Sequence, residues 1–213
     1  MEKGKRTWWI SLGAAVIVLI VLCSGIAMAL NADNVAQIGP YVIKKQEMES
    51  LLILSAFSGD APMDARQAAE QSARMYIAGQ EIAGTEYDTV GTLKKFQKMS
   101  VEEYAENSTA DDAFCESYGL SVKQLQEAVA LSKYRIVLQG AHFQKIIDDY
   151  CAQHSEEEPA EMAADGFGQI YETYMQEKLQ KMTFTVLDEK AVSGLEQQAQ
   201  RLYAQIQKDP PEV

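Results

Sequence analysis

Apolar residues recur at helical spacing along most of the chain from residue 44 onward. A dense apolar run predicts a first helix over about 45–57, which breaks at residues 58–60. Pro62 is predicted to open a second helix, which Gly84 ends or loosens. That helix has a face of small side chains that lets another helix approach closely: Ala65, Ala68, Ala69, Ser72, Ala73, Tyr76 and Ile77. The pattern predicts a mainly α fold with several packed helices.

Further along the chain, capping residues predict where helices begin. Ser100 and Thr109 are each followed three residues later by an acid, which favours a helix start at both positions. Gly119 is predicted to end one helix, and Ser121 with Gln124 forms a capping box that opens a long helix over about 122–151. Most of one stripe on that helix is assigned to the core: Val122, Leu125, Val129, Ile136, Phe143, Ile147 and Tyr150.

Strand patterns occur near both ends of the chain that follows residue 30. Residues 35–44 read as a strand, a Gly-Pro turn and a second strand, and residues 183–187 alternate and contain β-branched side chains. Because an isolated two-stranded hairpin is marginal in water, we expect residues 35–38 and 183–187 to share one small β-sheet. Apolar residues at 195, 199, 202 and 206 predict a last amphipathic helix, docked on the domain or binding a partner.

The N-terminal stretch from Trp8 to Leu30 carries no charge and is almost wholly apolar. It can cross a bilayer core of about 30 Å at about 1.5 Å per helical residue. Three cations within residues 1–7 predict a cytoplasmic N-terminus, with the rest of the chain outside the cell membrane. The same stretch fits a cleavable signal peptide with a cleavage site after Ala29. We therefore expect residues 8–30 to be a single-pass transmembrane signal-anchor, or a signal peptide that leaves a secreted protein.

Charge and composition exclude several function classes. The chain has 31 acids against 19 Lys and Arg, which argues against nucleic acid as a partner through a basic patch. The two histidines have no metal-ligand spacing, no nucleophile has a triad context, and no Gly-rich phosphate loop occurs. We expect no catalytic residue, no metal and no cofactor. Cys115 and Cys151 are the only exported cysteines, and one disulfide or two free thiols both remain open.

Three stretches carry a family resemblance. The first stretch precedes a helix and contains Val35, Ala36, Ile38, Gly39 and Ile43. The second is Tyr-Gly-Leu-Ser-x-x-x-Leu at 118–125. The third is a helix that runs into a strand at 171–188. In this order they resemble the N-terminal chaperone domain of SurA/PrsA-type extracytoplasmic chaperones. The sequence departs from the family pattern at Ile38, where Asn is usual, and at Lys44, where a Ser or Thr cap is usual.

The resemblance implies a SurA N-terminal-like chaperone domain over 31–190, whose N-terminal and C-terminal strands form the small sheet, followed by an amphipathic helix and tail at 191–213. Many relatives carry a parvulin-type prolyl isomerase domain between the long helix and the closing helix. Residues 152–168 are far too few for such a domain, so we expect no enzyme activity. The implied function is that of an ATP-independent chaperone that holds unfolded or nascent exported polypeptides. The alternative is a non-catalytic interaction or regulatory module for one dedicated envelope partner.

Weak holding of a client needs an exposed patch of adaptable apolar side chains. Helical periodicity selects the client-binding candidates: Met48, Leu52, Phe57, Met75, Tyr76, Phe96, Met99 and Tyr104. The competing interpretation is that most of the methionines fill gaps in the core.

Overall fold

The computed structural model describes residues 33–58, 61–154 and 164–211. This part of the chain contains six helices and three short strands: β1 (Asn34–Ile38), β2 (Tyr41–Lys44), α1 (Lys45–Phe57), α2 (Ala65–Ile82), α3 (Leu93–Tyr118), α4 (Val122–Gln153), α5 (Ala164–Leu179), β3 (Phe184–Val186) and α6 (Glu189–Lys208). The prediction of a mainly α fold with a small sheet is confirmed. Among the described helices none has the length and apolarity to cross a membrane, and the predicted segment at 8–30 lies outside the described residues.

The three strands form one antiparallel sheet in the order β2-β1-β3. Ile38 pairs with Tyr41 on one side and with Phe184 on the other, which confirms that the strands from the two ends share a sheet. Gly39 makes the turn between β1 and β2 with φ 53°, and its amide donates to the carbonyl of Thr183. The consecutive residues Val35 and Ala36 are both fully buried. The register of β1 against β2 shifts between Asn34 and Ala36, so the regular alternation of side chains is interrupted at Val35 and both residues join the core.

Two clusters of buried side chains make the core. The larger one surrounds β1 and draws residues from every described helix, including Leu51, Ala73, Phe96, Leu138, Met175 and Leu195. The smaller one lies where α1, α6 and the junction of α3 with α4 meet: Ile53, Ala56, Cys115, Tyr118, Leu120, Ala128, Leu202 and Ile206. The apolar residues predicted for the last helix are all buried, so α6 packs on the domain and contributes to both clusters.

Several predicted helix boundaries agree with the structure and others are corrected. α2 begins at Ala65 instead of Pro62, because Asp64 forms a reciprocal capping box with Gln67. The predicted helix start at Ser100 is wrong, since α3 runs through it, whereas the start predicted at Thr109 lies two residues after a kink in α3. The Ser100 hydroxyl donates instead to the carbonyl of Gln126 in α4, at 2.9 Å. α3 leaves helical geometry only at Asn107, with φ −122° and ψ 20°.

The junction between α3 and α4 has the predicted chemistry. Gly119 adopts the left-handed conformation with φ 64°, and Leu120 donates its amide to the carbonyl of Cys115. Ser121 accepts from the amide of Gln124, and the Gln124 side chain accepts from the amide of Ser121 at 2.8 Å. This reciprocal pair fixes the first turn of α4.

The apolar stripe predicted as the core face of α4 is correct only in part, because Val122, Leu125 and Phe143 are partly buried against the core clusters and Val129, Ile136 and Tyr150 are not. Only Ile147 of that set is buried, and Ile136 is 64% exposed. The buried face consists of Ala128, Ala130, Leu131, Leu138, His142, Ile146 and Ile147. Hydrophobic periodicity undervalues Ala128, Ala130 and His142 because they are small or polar. Both described cysteines, Cys115 and Cys151, are free thiols.

Candidate functional site

Half of the predicted client-binding residues belong to the core. Met48, Leu52, Met75 and Phe96 are buried, with at most 7% of their surface exposed. A client cannot contact them in this fold, which corrects their assignment to an exposed patch. Their helical spacing reflects packing around β1 and between helices.

The other four candidates reach the surface to different extents. Phe57 and Tyr76 are half-buried and engaged by neighbours: Phe57 stacks edge-on against Tyr118, and Tyr76 stacks on Tyr41 at 5.2 Å. Met99 is 38% exposed on α3, and Tyr104 is half-buried one turn further along the same helix. Met99 and Tyr104 are therefore the two candidates that a client could reach on α3.

The middle of α3 is unusual because its only contribution to the described core is the partly buried ring of Phe114 at the end of the stretch. Residues 101–114, all of which the structure describes, include no buried side chain, although Ser100 and Cys115 at the two edges of this stretch are buried. The sequence explains this, because residues 105–113 are Ala-Glu-Asn-Ser-Thr-Ala-Asp-Asp-Ala and offer no large apolar side chain. Side chains of this size cannot fill the space between α3 and α4.

An open groove of 270 Å³ occupies that space. Its apolar lining comes from the aromatic rings of Tyr104 and Phe114 on α3 and from Leu125 and Val129 on α4. Its polar lining comes from Ser100, Glu103, Asn107, Asp111 and Gln126. The groove combines aromatic and aliphatic surface with carboxylates at its edge, so it can accept apolar side chains of a second polypeptide.

Two contacts hold the walls of the groove in place. Tyr104 donates its hydroxyl hydrogen to Asp112 at 2.6 Å, and this hydrogen bond raises the pKa of Tyr104 to about 12. Lys133 of α4 donates to Glu103 of α3 at 2.6 Å, which links the two helices across the groove. The hydrogen bond to Asp112 therefore restrains the side chain of Tyr104, which lines the groove.

Sequence reasoning found only part of this groove. Tyr104 was among the predicted client-binding residues, whereas Leu125 and Val129 were assigned to the core and Phe114 was not selected. The sequence feature that could have indicated the groove is the run of small and polar residues at 105–113 inside a helix. A helical segment without a large apolar side chain leaves an unfilled surface beside it.

A second polar feature lies inside the protein, around His142 in α4. The imidazole is fully buried, with Nε2 at 2.8 Å from a carboxylate oxygen of Glu81 and Nδ1 at 3.2 Å from the hydroxyl of Tyr171. Because the carboxylate only accepts, Nε2 carries the hydrogen and Tyr171 donates to Nδ1. This arrangement joins α2, α4 and α5.

Glu81 is the centre of this buried network. It also accepts from the Tyr174 hydroxyl at 2.6 Å and pairs with the ammonium of Lys178. Burial raises the pKa of Glu81, but hydrogen bonds from Lys178, Tyr174 and His142 outweigh it and hold the pKa below its usual value. Burial lowers the pKa of His142 despite the neighbouring carboxylate. A neutral imidazole beside a charged carboxylate, with every polar atom engaged, serves to hold three helices together.

The described residues contain no group of His, Cys, Asp and Glu side chains that could hold a metal ion. Comparison of the chain with protein-family models, with curated proteins and with solved structures gives no match. The three sequence stretches that resemble SurA/PrsA-type chaperones lie at β1 and β2, at the junction of α3 with α4, and at α5 with β3. The function is therefore inferred from the groove and from these three stretches.

Proposed function

We propose that this protein is a membrane-anchored or secreted, ATP-independent chaperone that holds unfolded segments of exported proteins in the groove between α3 and α4. The observation that carries the proposal is the groove itself, an unfilled space whose lining includes Tyr104, Phe114, Leu125 and Val129. An unfolded segment exposes apolar side chains, and the apolar part of the lining gives them a weak and reversible contact.

Further apolar surface is available on both helices that form the groove. Met99 is 38% and Val101 52% exposed on α3, and Ile136 and Val137 are 64% and 45% exposed on α4. Methionine is unbranched and adapts to different partners, which suits binding of unrelated sequences. Contacts of this kind are made and released without nucleotide hydrolysis.

The proposal includes no prolyl isomerase activity. The connection between α4 and α5 comprises only residues 154–163, which is too short for a catalytic domain. The proposed activity consists of binding alone. The expected resemblance to SurA/PrsA-type chaperones supports this proposal.

Aggregation suppression tests the proposal. The full-length chain, held in phosphatidylcholine nanodiscs because of its apolar N-terminal stretch, should slow light scattering by a chemically unfolded client without nucleotide. Tyr104→Ser should raise the chain concentration needed for equal protection about fivefold, since an aromatic contact contributes about 1 kcal/mol.

Tyr87→Ser is the matched control. Tyr87 and Tyr104 are both half-buried tyrosines that donate to an aspartate, at 2.5 Å and 2.6 Å, but only Tyr104 lines the groove. Equal loss in both variants, with unchanged circular dichroism, would refute the groove as the binding surface. If the unmodified chain protects no client in molar excess, the dedicated interaction module becomes the better account.

A further inference from the structure

The α3 side of the groove is strongly anionic. From Met99 to Tyr118 the helix has no Lys or Arg but carries six acids: Glu102, Glu103, Glu106, Asp111, Asp112 and Glu116. Glu103 is paired with Lys133, and Asp112 accepts from Tyr104. Glu102 pairs with Lys98, so the acids of this stretch without an ion pair to another described residue are Glu106, Asp111, Asp112 and Glu116.

Asp111 is the most significant of these free carboxylates. It lines the groove, and within the described part of the chain it has neither an ion pair nor a hydrogen-bond partner for its side chain. Glu106 is exposed beside the bend at Asn107 and likewise has no ion pair with another described residue. Asp111 therefore adds an unpaired negative charge to the lining of the groove, and Glu106 adds one elsewhere on the same helix.

The α4 side supplies no compensating charge within the groove. Its lining residues are Leu125, Gln126 and Val129, and Lys133, the α4 cation that pairs with a lining residue, is already bound to Glu103. A ligand that enters therefore meets apolar side chains together with the unpaired negative charge of Asp111.

We infer that this groove selects polypeptide segments in which Lys or Arg stands close to aromatic or aliphatic side chains. The inference rests on the proposed function and specifies its client class. The apolar side chains fill the space beside Tyr104 and Val129, and the cation reaches Asp111. A segment with acids in the same places is repelled, and a segment with cations alone leaves the apolar lining uncovered.

Peptides of about 15 residues can separate these contributions. Three peptides share the same Leu and Phe positions and differ in having Lys, Ser or Glu at the intervening positions; a fourth keeps the Lys residues and replaces Leu and Phe by Ser. Calorimetric titration into the full-length chain in phosphatidylcholine nanodiscs, with empty nanodiscs subtracted, should show the tightest binding for the Lys peptide with Leu and Phe. We expect about 3- to 10-fold tighter binding than for the Ser counterpart at low salt, and a smaller ratio at about 0.5 M salt.

The variant Asp111→Asn should abolish most of that preference, measured as the ratio of the affinities of the Lys and Ser peptides for the same variant. The matched control is Glu86→Gln, which removes the same charge at an exposed position that does not line the groove. The control changes the overall charge of the chain equally but leaves Asp111 in place, so it should keep the preference.

The outcomes distinguish the inference from the proposed function. If the three apolar peptides bind with equal affinity, or if the control loses the preference as fully as the groove variant, the client class is wrong while the holding function stands. If the Lys peptide without Leu and Phe binds as tightly as the one with them, the groove acts only as an acidic surface and the inference is wrong. If none of the four peptides binds, the proposed function itself fails.

Discussion

Burial of His142 makes the stability of the fold depend on pH near neutrality. An unfolded histidine has a pKa of about 6.5, and burial lowers the pKa of His142 in the folded chain. Between these two pKa values the unfolded chain binds a proton that the folded chain does not, so unfolding becomes more favourable as the pH falls. We expect the urea midpoint to decrease on acidification through about pH 6.5, and this contribution to level off below the folded-state pKa.

The variant His142→Gln should lose this part of the pH dependence, and His154→Gln, which alters the exposed histidine at the end of α4, should keep it. The charged neighbours of His142 retain their charges in this range, because the pKa of Glu81 is lowered and the pKa values of Lys145 and Lys178 are raised. An unchanged pH slope in His142→Gln would contradict the assignment. Sequence analysis placed His142 in a helix but could not show that Glu81 and Tyr171 lie against its two nitrogens, since both come from other helices.

At the scale of single elements, the junction of α3 and α4 depends on one backbone conformation. Gly119 has φ 64°, which costs an ordinary residue about 1 kcal/mol or more, so Gly119→Ala should destabilise the fold by about that amount. Gly140 lies within α4, where an added Cβ meets nothing within 4 Å, and Gly140→Ala should stabilise the fold by about 0.5–1 kcal/mol. Chemical denaturation measures both, and equal effects of the two substitutions would contradict this account.

The elements also show which sequence signals carry information. The predictions of α1, of the capping box at Ser121 and of the left-handed conformation at Gly119 were correct, because each feature depends only on residues close to it in the sequence. Ser100 was misread, since its hydroxyl bonds the Gln126 carbonyl of another helix. The buried face of α4 was misread for a related reason, because small residues such as Ala128 and Ala130 permit close helix packing that a hydrophobic pattern does not reveal. The groove beside residues 105–113 was missed because its existence depends on how α3 lies against α4.

At the scale of the whole molecule, α6 joins the two clusters of the core into one unit. Leu195 belongs to the larger cluster and Leu202 to the smaller one, on the same helix. Each Leu→Ala substitution should cost about 2–5 kcal/mol and lower the temperature of one shared unfolding transition by about 5 °C or more. Calorimetry should show a single peak in both variants, and Gln200→Ala at an exposed position should leave it nearly unchanged. Two separate peaks in either variant would show that the clusters unfold independently.

The overall arrangement was more predictable from the sequence than the site was. The pairing of strands from distant parts of the chain followed from the need of a hairpin for a third strand. The client-binding candidates followed from periodicity, which cannot separate a core face from an accessible one, and so Met48 and Phe96 were selected although both are buried. Burial of a side chain depends on where its helix packs, and the position of each helix depends on its contacts with all the other helices.

The order of strands in the sheet determines when the protein can finish folding during its synthesis. β1 is the central strand and one of the first elements to leave the ribosome, yet its second neighbour, β3, is made only after five described helices. One edge of β1 therefore stays unpaired while most of the chain is translated, and an open strand edge invites pairing with other chains. A strand that precedes every described helix is thus completed by one that follows five of them, so we expect the nascent chain to need protection until β3 has been made.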